Sequence, residues 1–155
     1  MKSVKFIANK ARKFTEWFAK DHPHIGHPTD LGCYCAIGSW ILFALAKREG
    51  HDAVFVEGRY LQRGERPPVE AASVPRRDLN HCWVEVGNTV YDITATQFKF
   101  KEKVLTYPKD SRNKQFYPVV RHTNIRSLGK FLIDWHEQSP AAHQKELRDL
   151  IRAYT

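Results

Sequence analysis

Cys35-Ala36-Ile37-Gly38-Ser39-Trp40-Ile41-Leu42-Phe43-Ala44-Leu45-Ala46-Lys47-Arg48-Glu49-Gly50 is the stretch on which the fold reading turns. Ile37, Trp40, Ile41, Phe43, Ala44 and Leu45 make it strongly apolar. Lys47 and Arg48 then meet the negative end of a helix dipole, and Gly50 supplies the residue at which helices commonly stop. The run predicts a buried central helix over 35–49. Upstream, Val4, Ile7, Ala11, Phe14 and Phe18 recur at helical spacing with Lys and Arg between them, which predicts an amphipathic helix over 3–20. Its apolar stripe is read as core. Pro23, Gly26 and Pro28 break the segment 21–31 into a loop between the two helices.

Downstream, Ala53 to Tyr60 is short and rich in Val and Phe, and reads as a strand. Gln62 to Asn80 carries Gly64, Pro67, Pro68 and Pro75, and reads as a long exposed loop of the kind that often serves function. His81 to Val86 alternates, Gly87-Asn88 turns, and Thr89 to Thr94 alternates again, so a hairpin is expected. Two helices are expected to close the chain. Leu128, Phe131, Leu132 and Trp135 form the stripe of one, and Ser139-Pro140 opens the other toward Leu147, Leu150 and Ile151. The order is helix, central helix, antiparallel sheet, then helix: an α+β architecture in a single domain over 1–155.

Composition limits the alternatives. With 155 residues and 42% hydrophobic content the chain can bury one core and is too short for two ordinary domains. The longest apolar run, Trp40 to Ala46, falls well short of the roughly 20 residues a membrane span needs. No Sec-type leader is visible at the N-terminus, so a cytoplasmic location is expected. Three cysteines, Cys33, Cys35 and Cys82, offer no disulfide framework and agree with a reducing compartment. A net charge of +8 favours acidic partners, yet the bases are scattered among acids and no nucleic-acid motif accompanies them. Nucleic acid is therefore not the expected partner.

The chemistry-bearing residues follow from what a thiol nucleophile needs. A helix start stabilises a thiolate through its backbone N–H groups and its dipole, and Cys35 stands at such a start. An imidazole must reach the sulfur and a carboxylate must orient the imidazole. His81 opens the first hairpin strand and Asp92 lies on the second, where pairing could bring them together. Cys33 competes with Cys35 but lies farther from the apolar helix. Cys82 neighbours His81 on a strand, so it points to the other face and is read as core. Glu85 is read as a hydrogen-bonded or exposed strand residue, and His51, His122, His136 and His143 as surface or packing residues. A rival cluster, His22, His24, His27, Cys33 and Cys35, has ligand types suited to zinc or copper, but its spacing matches no standard finger. No metal is expected.

At Cys35-Ala36-Ile37-Gly38-Ser39, His81-Cys82-Trp83-Val84-Glu85-Val86 and Tyr91-Asp92-Ile93-Thr94 the sequence resembles the transglutaminase-like (papain-like) family of cysteine enzymes. The ordered combination carries the resemblance over roughly the central third of the chain. It implies a papain-like core with Cys35 as nucleophile, His81 as base and acid, and Asp92 as orienter. It implies a hydrolase, a protease, isopeptidase or amidase, that works on a protein or peptide through an acyl-enzyme without a cofactor. The alternatives are an acyltransferase that cross-links an amine and a non-catalytic basic binding module. Trp83, on the His81 face, and Tyr34, beside the thiol, are the expected substrate contacts. Papain's oxyanion-hole glutamine has no match before Cys35, which leaves the Cys35 backbone N–H as the one oxyanion donor the resemblance supplies.

Overall fold

In the computed structural model, residues 1–62, 64–66, 78–111, 116–126, 128, 130, 145 and 149 are described. The first helix, α1 (Val4–Asp21), begins where Ser3 Oγ accepts from the Phe6 N–H at 3.3 Å. Its inner face carries Ile7, Ala8, Ala11, Phe18 and Ala19, as the spacing requires. Two polar residues are buried with them. Thr15 back-bonds to the Ala11 carbonyl at 2.7 Å, and Arg12, which the pattern would put among the solvent-facing cations, is only 4% exposed.

The central helix α2 (Cys35–Arg48) is buried on nearly every side because it lies between α1 and the sheet. Gly38 makes the close approach of α1 possible: a Cβ there would stand 3.1 Å from Thr15 Oγ1 and 3.3 Å from Ile93 Cδ1. The helix ends at Arg48, and Gly50 takes the left-handed conformation (φ +87°) just after it.

The sheet has five antiparallel strands: β1 (Ala53–Tyr60), β2 (His81–Val86), β3 (Thr89–Asp92), β4 (Leu105–Pro108) and β5 (Phe116–His122), in the order β4-β3-β2-β1-β5. The fold is thus α+β, with two described helices packed on an antiparallel sheet. Pairing of Phe55 with Val84 and Glu57 with Cys82 puts these four residues on one face, and α2 packs there. Pairing of Val56 with Trp83 and Glu85 with Val90 puts His81, Trp83, Glu85, Val90 and Asp92 on the other. Trp83, Val56 and Val90 form a second small apolar cluster on that face.

The hairpin is shorter than its alternation suggests. β3 stops at Asp92 rather than Thr94, because the Asp92 carboxylate accepts from the Thr94 N–H at 2.9 Å and turns the chain into a short 3-10 helix (Ala95–Phe98). Of the two expected closing helices only residues 128, 130, 145 and 149 are described, each helical and with Leu128 buried in the core; their other residues, and most of the expected 62–80 loop, lie outside the described residues. Among the described residues no helix is long and apolar enough to cross a membrane.

Candidate active site

The loop before α2 is held in an unusual backbone shape. Leu31 and Cys33 adopt left-handed conformations (φ +64° and +70°), which side chains other than glycine seldom take. The shape persists because its surroundings determine it. His27 donates its N–H to the Gly32 carbonyl at 3.0 Å, Leu31 is fully buried, and a Cβ on Gly26 would overlap the Gly32 carbonyl. The chain leaves this loop at Tyr34, which caps α2 with no side-chain acceptor, so no capping side chain occupies the N–H groups of the first turn. Cys35 sits on that turn at 3% exposure.

Cys35 meets the start of β2. Its sulfur hydrogen-bonds the side chains of both Cys82 and His81, the first two residues of the strand, which point to opposite faces. The His81 Nε2 lies 2.7 Å from Asp92 Oδ2, and both side chains are fully buried. With Nε2 engaged by the carboxylate, Nδ1 is the nitrogen that faces the thiol. Asp92 is itself fixed, its Oδ1 accepting from the Thr94 N–H at 2.9 Å and from Thr94 Oγ1 at 3.3 Å. Thiol, imidazole and carboxylate are therefore brought together, over chain separations that no local element spans.

The electrostatics favour a thiolate beside an imidazolium. Hydrogen bonding from Cys82, opposed by burial and reinforced by His81, lowers the Cys35 thiol to about 5 from an ordinary 9.0. Burial works against a charged His81, but the Asp92 charge and the hydrogen bonds to Asp92 and Cys35 outweigh it and raise the ring to about 10. Cys82 moves the other way. Burial and the neighbouring Cys35 push its thiol well up, so it remains a neutral donor to the sulfur beside it.

Aromatic rings seal the imidazole. Phe98 meets it edge-on with centroids 4.8 Å apart, and Tyr60 stacks on Phe98 at 3.7 Å. Trp83 lies 6.0 Å from His81 on the same face and is only 1% exposed, its Nε1 donating toward Glu85 Oε1 at 3.5 Å. Tyr34 is fully buried, and its hydroxyl donates to the His22 carbonyl at 2.6 Å, tying the start of α2 to the end of α1. The two expected substrate contacts, Trp83 and Tyr34, are therefore both buried in this conformation.

Gln97 stands against the imidazole, and no pattern in the sequence marks it. It lies on the 3-10 helix after Asp92, and its Nε2 is 3.4 Å from His81 Nδ1. The available signal was Asp92 followed by Thr94, a pair that turns a chain sharply and here returns it to the histidine. Buried Arg12 pins the same segment, donating from Nη1 to the Ile93 carbonyl at 2.7 Å and to Thr96 Oγ1 at 3.0 Å. Thr96 Oγ1 in turn donates to the Asp30 carbonyl at 2.8 Å.

Glu85 is hydrogen-bonded, as its place on the strand suggested, and His136 and His143 lie outside the described residues. His122 is more than a packing residue, since its Nε2 lies 2.9 Å from buried Glu57 Oε1. His22 stacks on Phe18 at 4.2 Å and contacts the Phe18 carbonyl through Nδ1 at 3.0 Å. Among the described residues no group of three His, Cys, Asp or Glu is arranged to hold a metal ion. Comparison with known proteins adds no relative: no protein-family model, no curated protein and no solved structure matches the chain.

Proposed function

We propose that the chain is a cysteine-dependent hydrolase of the transglutaminase-like kind, with Cys35 as nucleophile, His81 as acid and base, and Asp92 as orienter, acting on an amide of a protein or peptide. One observation carries the reading: a buried thiol on the first turn of α2 hydrogen-bonds an imidazole whose other nitrogen is 2.7 Å from a buried carboxylate. The reaction follows from that geometry. The Cys35 thiolate attacks the carbonyl carbon, forming the C–S bond while the carbonyl electron pair moves to oxygen. As the pair returns, the C–N bond breaks and His81 gives its Nδ1 proton to the leaving nitrogen. Water then attacks the thioester, His81 takes a proton from it, and departure of the sulfur restores the thiolate. Asp92 holds Nε2–H throughout, which keeps Nδ1 directed at the sulfur. An amine in place of that water would make the same centre an acyltransferase.

The test uses iodoacetamide and p-nitrophenyl acetate at neutral pH. Iodoacetamide is expected to modify Cys35 ahead of exposed Cys33 and buried Cys82, and the ester to give one rapid equivalent of nitrophenolate with acetylated Cys35. Cys35→Ala is expected to lose both. Equal labelling of all three thiols in folded protein, or a burst that survives Cys35→Ala, would end the proposal.

A further inference from the structure

His81 and Cys82 open β2 and send their side chains to opposite faces of the sheet, yet the Cys35 sulfur hydrogen-bonds both. The strand register accounts for the second contact. Cys82 pairs with Glu57 and Val84 with Phe55 on the face that α2 covers, and Cys35, Cys82 and Val84 belong to one buried cluster. Two free thiols therefore touch in the core, at 3% and 0% exposure. A hydroxyl could donate to the Cys35 thiolate as well as a thiol does. What a thiol alone adds is a second sulfur within reach of the first.

We propose that Cys35 and Cys82 form a peroxide-modification site, in which a hydroperoxide oxidises the Cys35 sulfur and Cys82 captures it as a reversible Cys35–Cys82 disulfide. The proposal rests on the reading of Cys35 as a nucleophilic thiolate. With hydrogen peroxide, the Cys35 thiolate attacks one oxygen, the O–O bond breaks, and the departing hydroxide takes the His81 Nδ1 proton to leave as water. Cys35 is then a sulfenic acid. The Cys82 sulfur attacks the Cys35 sulfur, the S–O bond breaks, and hydroxide leaves with the Cys82 proton as a second water. Two thiols have lost two electrons and one peroxide has gained them. The bond occupies the nucleophile and stops acyl transfer until a dithiol reduces it.

The surroundings order the two steps. Burial and the Cys35 charge keep Cys82 protonated, so Cys35 is the thiolate that meets peroxide first. Conversion of Cys35 to a neutral sulfenic acid removes one of the charges that held the Cys82 proton, which prepares Cys82 for attack. Cys33 is the competing partner. It is exposed and its backbone is held at φ +70°, so a ring closed across the single residue Tyr34 would have to rework the loop before α2. The Cys35–Cys82 bond asks that two sulfurs already in contact approach to about 2.05 Å.

The test treats reduced protein with a small excess of hydrogen peroxide at pH 7, blocks free thiols in denaturant and maps disulfides by mass spectrometry without reduction. Wild type and Cys33→Ser are both expected to give a Cys35–Cys82 linked peptide. Iodoacetamide labelling of Cys35 in the folded protein should be lost with it and return on treatment with dithiothreitol. Cys82→Ser should form no such bond. Its Cys35 should instead be trapped by dimedone as the sulfenic acid, and excess peroxide should carry it to forms that dithiothreitol does not reverse. Labelling of Cys35 in this variant before oxidation reports that it has folded, and should it fail to fold, the wild-type and Cys33→Ser maps decide alone. If reduced wild-type Cys35 took neither iodoacetamide nor peroxide, the nucleophile reading would fall and this proposal with it. If Cys35 reacted with both but ended bonded to Cys33, bonded to a second molecule, or irreversibly oxidised with Cys82 still free, the role of Cys82 alone would be overturned.

Discussion

Two buried carboxylates share one face of the sheet, and their surroundings give them opposite characters. Asp92 lies against His81, both side chains at 0% exposure, and the imidazole in turn meets a thiol. Glu85, 4% exposed at its side chain, lies against Arg121 at 2.9 Å and Lys109 at 3.1 Å, whose own side chains are 43% and 38% exposed. Arginine and lysine are permanently charged at ordinary pH and rooted in water, so the Glu85 cluster can hold the sheet together but can pass no proton. An imidazole sealed between a carboxylate and a thiol can. What separates a structural ion pair from a site is the titratable middle member and its isolation from solvent, rather than the burial of the acid.

The comparison breaks most visibly at His81. Removing the ring takes away the cation that helps hold Cys35 at about 5, so the thiol moves back toward its ordinary 9.0. At pH 7 a full return would cut the thiolate population about 100-fold, and the Cys82 hydrogen bond that survives makes the loss smaller. Iodoacetamide alkylation of His81→Ala is expected to be about 10- to 100-fold slower at pH 7 and to recover as pH rises toward 9. A profile identical to wild type would mean that the imidazole does not set the thiol's charge.

A smaller effect is expected at the carboxylate. Asp92→Asn keeps the shape and can still accept from Thr94, but it withdraws the charge that raises His81 to about 10. A less stable imidazolium supports the thiolate less well, so the midpoint of Cys35 alkylation should rise, though by less than in His81→Ala. At pH 6 the rate should fall by roughly 3- to 10-fold. An unmoved midpoint would put Asp92 in the same class as Glu85, a carboxylate that stabilises without tuning chemistry.

How much of this was legible in the sequence depends on how far apart the interacting residues lie. The stripe of α1, the apolar run of α2 with Gly50 after it, and the strand Ala53–Tyr60 are local patterns, and the structure has them within a residue or two of expectation. β4 and β5 went unread, because Leu105–Pro108 carries a proline and owes its strand character to pairing with β3, while Phe116–His122 pairs with β1 across more than fifty residues. At the site, residue type and order single out Cys35, His81 and Asp92, but their meeting depends on register. Arg12 and Gln97 are invisible for the same reason: a cation in an amphipathic helix and a single glutamine look like surface until the tertiary contacts engage them.

The smallest effect is expected at Glu85, and it sharpens the contrast from the structural side. Burial pushes this carboxyl up, but Arg121 and then Lys109 outweigh that and hold it below its ordinary 4.5. Glu85→Gln removes the charge while keeping size, and both cations can withdraw into water, so the cost should stay below that of stranding a buried charge. A loss of about 1–3 kcal/mol at pH 7 is expected, read by urea denaturation. The sign with pH follows from the depressed value. The charged form is favoured in the folded state, so the contribution is complete above the unfolded value near 4.5 and disappears as pH falls through the lower folded value. Wild type and Glu85→Gln should therefore differ by a constant amount from pH 7 down to about 5 and converge below it, with Cys35 alkylation the same in both throughout. A gap that persisted in acid would assign the loss to packing against Trp83 rather than to charge, and a change in alkylation would mean that the two clusters on this face are coupled.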